Sequence, residues 1–151
     1  MPRGSRYDRV MGGSSPTISC VIIDCTDPER LASFWSSLLK RDIVARTGPY
    51  VWLAREQGLA VGFQQVAETK VVKNRVHLDL ATPDLAIERQ RVEQLGGRRV
   101  DGYEVGGFLV MADPEGNEFC LIPEGQFDVD DQGRATYARE AGRLTREPTA
   151  R

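Results

Sequence analysis

Two side chains capable of chemistry, Glu118 and Cys120, lie at the end of a turn-rich stretch. The preceding residues, 113–117, read Asp-Pro-Glu-Gly-Asn and predict a tight turn, because each of these residue types favours or tolerates turn geometry. The apolar residues that follow predict a short strand. Since side chains alternate along a strand, Glu118, Cys120 and Ile122 would share one face. That face is a candidate site offering a carboxylate and a thiol.

The overall composition excludes several classes of function. The chain has 151 residues, of which 40% are hydrophobic and 28% charged, as expected for one domain or two small modules that share a core. A net charge of −2 with interspersed signs argues against a nucleic-acid surface or a polybasic membrane patch. No apolar run approaches ~20 residues, so no transmembrane helix is predicted. Residues 1–16 lack a long apolar core and predict a flexible leader without a secretory signal.

The chain contains one histidine, His77, and three cysteines, Cys20, Cys25 and Cys120. A low, odd cysteine count without a Cys-x-x-Cys pattern predicts reduced thiols and a cytoplasmic location. A single histidine also excludes any multi-histidine metal site.

A first series of elements, which must position some of these side chains, occupies residues 17–66. Residues 17–25 form a β-prone run. Asp27 as N-cap and Pro28 as the first helical residue then predict a helix, because both residue types favour a helix start. Its apolar residues recur at helical spacing, and they are Leu31, Phe34, Trp35, Leu38 and Leu39. Strands are predicted next over 42–46, 50–55 and 59–66.

The same order returns in residues 74–123, after a predicted solvated linker over 67–73. A strand over 74–81 carries His77, and the following helix is expected to begin with Thr82 as its N-cap. This helix should end near Leu95, because a Gly-Gly pair follows. Further strands are predicted near 98–101, 107–112 and 118–122.

The order β-α-β-β-β therefore occurs twice, at a spacing of about 55 residues. Residues 22–28 also resemble residues 77–83 in sequence. Such self-similarity indicates two copies of one unit that share a core, because neither copy can bury its sheet alone. Residues 124–151 lie outside the repeat and predict a tail that is mobile or packs on a partner subunit. Within the tail, residues 134–146 suit a short, poorly amphipathic helix.

The double module and its last turn resemble the vicinal oxygen chelate superfamily, which includes glyoxalase, bleomycin-resistance and extradiol dioxygenase proteins. The segments Val21–Trp35, Val76–Leu80 and Asp113–Pro123 look like those of glyoxalase-like domain proteins. The resemblance covers residues 17–123. It implies an α+β fold in which two βαβββ modules form paired curved mixed sheets around one cavity, with the helices outside. A homodimer is expected, because such sheets leave edges and apolar faces to cover.

In metal-binding members of the superfamily, the ligands project inward from the first and last strand of each module. They are typically two His, or His and Gln, together with two Glu. In the second module the first-strand position falls on His77. The last-strand position, usually a Glu, falls on Cys120, and Glu118 lies one inward step earlier.

In the first module the resemblance leaves two alignments open for the first-strand position. Anchored on the helix it falls on Cys20, and anchored on the internal repeat it falls on Ile22. Both residues point to the same face. The last-strand position falls near Gly62, with Gln64 as the next inward candidate.

These positions allow two interpretations. Cys20, His77 and Cys120 could hold a divalent metal such as zinc, since thiolate and imidazole ligands suit a tetrahedral zinc site. Alternatively, the cysteines are core or lining residues and His77 is a hydrogen-bonding residue of the pocket, because free cysteines are commonly buried as small apolar groups. The second interpretation implies no metal and no other cofactor.

Aromatic residues on a middle strand of the first module predict a ligand surface. Tyr50 and Trp52 would present one face to the cavity, together with Gln64 and Ile22. Such a lining suits flat, partly apolar molecules.

Two functional hypotheses follow, and the sequence leaves open whether the protein is an enzyme. In the first, the cavity binds a small, partly apolar molecule without the usual metal set. In the second, the protein is a lyase or isomerase of the glyoxalase type. It would act through a divalent metal, or through Glu118 and His77 as acid–base partners if burial brings one pKa near neutrality.

Overall fold

The computed structural model of the protein describes residues 15–102, 107–125, 127–129, 131–133 and 135–137. The first module contains β1 (Cys20–Cys25), α1 (Pro28–Leu39), β2 (Ile43–Thr47), β3 (Tyr50–Leu53) and β4 (Ala60–Gln65). The second contains β5 (Asp79–Thr82), α2 (Leu85–Gln94), β6 (Arg98–Arg99), β7 (Leu109–Ala112) and β8 (Glu118–Pro123). A final pair is β9 (Phe127–Val129) and β10 (Ala135–Tyr137).

Each module forms a four-stranded mixed sheet, and the two sheets have the same topology. The strand orders are β1-β4-β3-β2 and β5-β8-β7-β6. The first and last strands of each module pair in parallel, and the other neighbours pair antiparallel. The predicted α+β fold of two βαβββ modules is therefore confirmed.

Helix α1 begins where its sequence predicts. The Asp27 side chain accepts a hydrogen bond from Arg30 N at 3.1 Å, and Pro28 is the first helical residue. The helix ends at Lys40, whose φ of 55° is left-handed. Its apolar face is buried, and it consists of Leu31, Ala32, Phe34, Trp35 and Leu38.

Helix α2 begins two residues later than predicted, so the assignment of Thr82 as its N-cap is wrong. Thr82 is the last residue of β5, and its buried hydroxyl accepts a hydrogen bond from Asp84 N at 3.3 Å. Asp84 is the N-cap, because its carboxylate accepts hydrogen bonds from Ala86 N at 2.9 Å and Ile87 N at 3.0 Å.

One apolar core joins the modules. Trp35 of α1 packs against Phe119 of β8, with ring centroids 5.0 Å apart. Phe34 contacts both rings edge-on. Because Trp35 and Phe119 are each 1% exposed, this contact fixes the first helix on the sheet of the second module.

The predicted turn over residues 113–117 is present and also binds the first module. Gly116 has a φ of 86°, and Asp113 Oδ1 accepts hydrogen bonds from Glu115 N and Asn117 N. The Glu115 carboxylate accepts hydrogen bonds of 2.8 Å from Thr26 N and Asp27 N, just before α1. The turn therefore anchors the N-terminus of α1.

Three further predictions, on a strand, on the linker and on the tail, need correction. The strand predicted over 74–81 begins only at Asp79, because residues before it form an irregular segment that bonds to Glu118. Lys70 of the predicted solvated linker is 20% exposed and pairs with Glu118. The helix predicted over 134–146 is wrong at Ala135–Tyr137, which pairs with β9 as an antiparallel hairpin. Its remaining residues, and most of the predicted leader, lie outside the described residues.

Neither of the described helices is both long enough and apolar enough to cross a membrane.

Candidate functional site

A cleft of about 260 Å³ lies between the two modules. One wall is β1 and the other is formed by residues 74–78 and the start of β8. The apolar lining residues are Val21, Ile22, Ile23, Trp35, Val76, Leu78 and Phe119. The polar lining residues are Asp24, Asn74, His77, Asn117 and Glu118. A small apolar cleft with a few polar groups has the character of a small-molecule site.

Glu118 is held in place by two groups of the preceding segment. Its carboxylate accepts hydrogen bonds from Lys70 Nζ at 3.0 Å and from Asn74 N at 2.9 Å. Burial raises the pKa of the Glu118 carboxyl, but the hydrogen bonds from Asn74 and Lys70 outweigh this effect, and its pKa lies below the ordinary value. The Glu118 side chain is therefore ionised at neutral pH and hydrogen-bonded to Lys70 and Asn74. An ionised carboxylate cannot donate a proton, which disfavours the role of general acid considered from the sequence.

A second cluster brings His77 and Cys120 together, as their sequence positions predict, and adds Asp79. The ligand-type atoms of the three side chains all lie within 4.8 Å of one another. His77 Nε2 is 3.3 Å from Asp79 Oδ1, and Asp79 is directly paired with Cys120 across the parallel strands β5 and β8. Burial and the Asp79 carboxylate raise the pKa of the Cys120 thiol to about 12, so the thiol is protonated without a bound cation.

The other two cysteines lie elsewhere. Cys20, the predicted third ligand, is exposed at the start of β1 and is not a member of the His77 cluster. Cys25 is a core residue whose thiol donates a hydrogen bond to Gln64 O at 3.5 Å. Burial raises the pKa of the Cys25 thiol to about 12, which leaves it unreactive.

The predicted ligand-binding residues share one face of the first sheet. Ile22 and Trp52 both pair with Gly62, and Tyr50 pairs with Gln64 in the adjacent row. The Tyr50 and Trp52 rings are stacked with centroids 5.8 Å apart. Of these residues, Ile22 also lines the cleft, so the aromatic surface and the cleft adjoin at Ile22.

The residues present do not fit the four-ligand metal set that the superfamily implies. The last-strand position of the first module falls near Gly62, which offers no ligand atom. Gln64, the next inward residue, lies one step further along β4, opposite Tyr50 of β3. A Cβ atom at Gly62 would lie 2.8 Å from the Trp52 ring and 3.0 Å from Ile22 Cδ1. The indole of Trp52 thus occupies the space that a ligand side chain from Gly62 would need.

Sequence reasoning missed part of this site. Asp79 is not among the candidates named from the sequence, although the strand predicted over 74–81 would place it on the same face as His77. Asn74 and Val76 also line the cleft, yet they belong to an irregular segment without a periodic signal.

A model of the glyoxalase-like domain family matches residues 20–122, which is more than half of the chain. The chain belongs to this family. The match spans both modules, the cleft and the His77 cluster. A search of curated protein sequences finds no significant match.

Solved structures of glyoxalase-related proteins share the fold. A glyoxalase-related enzyme from Fulvimarina pelagi aligns with a TM-score of 0.58 at 17% identity, over 82% of this chain and 99% of that one. A glyoxalase/bleomycin resistance protein/dioxygenase family enzyme from Burkholderia phytofirmans gives 0.58 at 18% identity, over 70% and 96%. The trypanothione-dependent glyoxalase I of Leishmania major gives 0.56 at 16% identity, over 73% and 88%. At these identities the likeness shows the fold alone.

Proposed function

We propose that the protein binds a small, partly apolar molecule in the cleft between its modules, without the four-ligand metal set of the superfamily. The observation that carries this proposal is the cleft itself, whose lining is mainly apolar and contains a few polar groups at one end of β8. Its volume of about 260 Å³ suits a ligand near the lower limit of small-molecule sites.

The lining supports recognition of a molecule with an apolar body and a polar end. Ile22 and Val76 offer exposed aliphatic surface, with 37% and 78% of each residue accessible. Asp24 and His77 supply exposed polar groups in the same cleft. An apolar body would displace water from the aliphatic surface, while the polar groups would orient the other end.

The enzyme alternative receives less support from the geometry. Gly62 and Trp52 leave the four-ligand set incomplete. Glu118 is committed to Lys70 and Asn74, and its lowered pKa makes it a poor proton donor near neutral pH. We therefore propose that Glu118 has a structural role, in which it holds the segment 70–74 against β8 of the second module.

Thermal unfolding with a library of small hydrophobic compounds tests the proposal, because a ligand that binds only the folded state raises the Tm. The chain has two tryptophans, and Trp35 lines the cleft. A Trp52→Phe variant therefore makes Trp35 the sole tryptophan, and its fluorescence should change on binding of a hit compound.

Two valines of one segment provide a matched pair for locating the ligand. Val76 lines the cleft, whereas Val71 does not, and both are exposed, at 78% and 88%. Val76→Asp should weaken the binding of a hit by about tenfold or more, because it places a charge in the apolar lining. Val71→Asp should leave it unchanged. Equal effects of the two substitutions, or no hit in the library, would count against the cleft as the binding site.

A further inference from the structure

The cluster of His77, Asp79 and Cys120 lies within the second module and needs no residue of the first. Its geometry follows from the sheet register. Asp79 and Cys120 are paired neighbours on parallel strands. His77 lies two residues before Asp79, in the segment that leads into β5, and its Nε2 is 3.3 Å from Asp79 Oδ1. Because Cys120 N also donates to Leu78 O at 2.8 Å, the ladder fixes the backbone between His77 and Asp79.

The three side chains offer a nitrogen, an oxygen and a sulfur ligand, which is a donor set that Zn²⁺ accepts. Their ligand-type atoms lie within 4.8 Å of one another. Ligand atoms in a tetrahedral zinc site are separated by roughly 3.5 Å, as follows from bond lengths of about 2.0–2.3 Å. The three ligand atoms would therefore need to move closer together by about 1 Å to bind one zinc ion.

The two exposed ligands, His77 and Asp79, can move toward the buried one, Cys120. The side chains of His77 and Asp79 are 47% and 39% exposed, so they can change rotamer at little cost. Cys120 is 7% exposed and fixed in β8, where it would act as the anchoring ligand. Without a metal ion, the same three side chains form a polar cluster in which the Cys120 thiol donates to Asp79 and Asp79 pairs with His77.

We propose that His77, Asp79 and Cys120 form a three-ligand site for one zinc ion, with the fourth position open. On binding, the Cys120 thiol releases its proton to solvent and the thiolate sulfur bonds to the metal. Because His77 lines the cleft as well, the ion would lie beside the proposed ligand site. His77 and Cys120 stand at the two second-module positions that carry ligands in metal-binding members of the superfamily. The proposed site differs from that set because Asp79, the neighbour of Cys120 on the parallel strand, supplies the third ligand and the first module supplies none.

Metal titration of the chelator-stripped protein tests the proposal. Zinc alone is titrated in competition with a chromogenic chelator, and one ion per chain is expected. Asp79→Asn and Cys120→Ser should each weaken binding by more than about tenfold, because even residues that only support metal ligands contribute about 10–100-fold. Cys20→Ser is the matched control, since Cys20 is an exposed thiol outside the cluster, and it should leave binding unchanged.

The absorption spectrum of bound cobalt provides a second test of the site. It requires only the wild type and Asp79→Asn, so it remains valid even if Cys120→Ser, a change at a buried residue, does not fold. Cobalt bound to the wild-type protein should show a thiolate-to-cobalt charge-transfer band, which Asp79→Asn should weaken at equal metal concentration. The absence of stoichiometric zinc, a cobalt spectrum without the thiolate band, or equal losses in the Cys20→Ser control would each overturn the proposal.

Discussion

The indole Nε1 of Trp35 donates a hydrogen bond of 3.1 Å to Asp113 Oδ2, and both residues are buried. Trp35 belongs to α1 of the first module, whereas Asp113 begins the turn that leads into β8 of the second. The same carboxylate accepts a hydrogen bond from Asn117 Nδ2 at 3.0 Å. A single buried carboxylate thus organises its own turn and also joins the two modules that border the cleft.

Replacement of Trp35 by Phe should reveal the strength of this connection. The phenyl ring keeps much of the apolar packing but cannot donate to Asp113, so a buried acceptor loses one partner. The free energy of unfolding should fall by about 1–3 kcal/mol, measured by urea denaturation. Trp52→Phe is the control, because Trp52 is half-buried on the open face of the first sheet. Equal losses in the two variants would indicate that ring size, not the hydrogen bond, matters.

The Glu115 carboxylate makes a second connection between the modules. It accepts hydrogen bonds from the backbone amides of Thr26 and Asp27 and from the Thr26 hydroxyl. Glu115→Ala should lower the free energy of unfolding by about 1–3 kcal/mol, because two amides at the start of α1 lose a charged acceptor. Glu68→Ala, at an exposed site, should change it by less than about 0.5 kcal/mol. A Glu115→Ala effect no larger than that of the control would refute the anchoring role.

Features governed by local sequence were predictable. The N-cap Asp27 and the apolar face of α1 follow from capping preference and helical spacing, and the structure confirms both. The face shared by Glu118 and Cys120 follows from strand alternation. The N-cap of α2 was misplaced because Thr82, Pro83 and Asp84 all suit a helix start, and only the length of β5 decides among them.

Features that depend on the packing of distant segments were not predictable. Strand alternation places Cys20 on an inward face but does not set its distance from His77. The pairing of Glu118 with Lys70 arises because an irregular segment folds back over β8, and such a segment carries no periodic signal. For the same reason, the two inter-module connections of the turn over residues 113–117 could not be read from its turn-forming residues.

Acid unfolding should distinguish Glu118, the first residue of β8, from Asp113, which begins the preceding turn, because the pKa values of their carboxyl groups shift in opposite directions. The pKa of Glu118 is lowered from an ordinary value of 4.5, so its stabilising contribution is complete above that pH and is lost as the pH falls through its folded value. The difference in unfolding free energy between the wild type and Glu118→Gln should therefore shrink as the pH falls below about 4.5. It is measured by urea titrations across the acid range.

Asp113 provides the opposite case in the same experiment. Burial raises the pKa of its carboxyl above 3.8, despite hydrogen bonds from Asn117 and Trp35 that act to lower it. The folded state then binds the proton more tightly than the unfolded state, so stability falls as the pH rises from 3.8 through the folded pKa. The free energy of unfolding of the wild type, relative to that of Asp113→Asn, should therefore fall as the pH rises over that range. Slopes of the same sign for the two residues would show that one of these environments is wrongly assigned.

Trp52 packs against Gly62, near which the resemblance places the last-strand ligand position of the first module. The crowding that a side chain would meet at Gly62 can be measured directly. Gly62 does not have a positive φ, so alanine is compatible with its backbone, but the new Cβ would lie 2.8 Å from the Trp52 ring. Gly62→Ala should therefore cost about 1–3 kcal/mol through overpacking. In a Trp52→Ala background this cost should fall by at least about 1 kcal/mol, because the obstructing ring is absent. In an Ile87→Ala background, where the change lies on the exposed face of α2, the cost should be unchanged. If the Trp52→Ala background leaves the cost unchanged as well, the indole does not occupy the ligand position, and the incompatibility with the four-ligand set must have another cause.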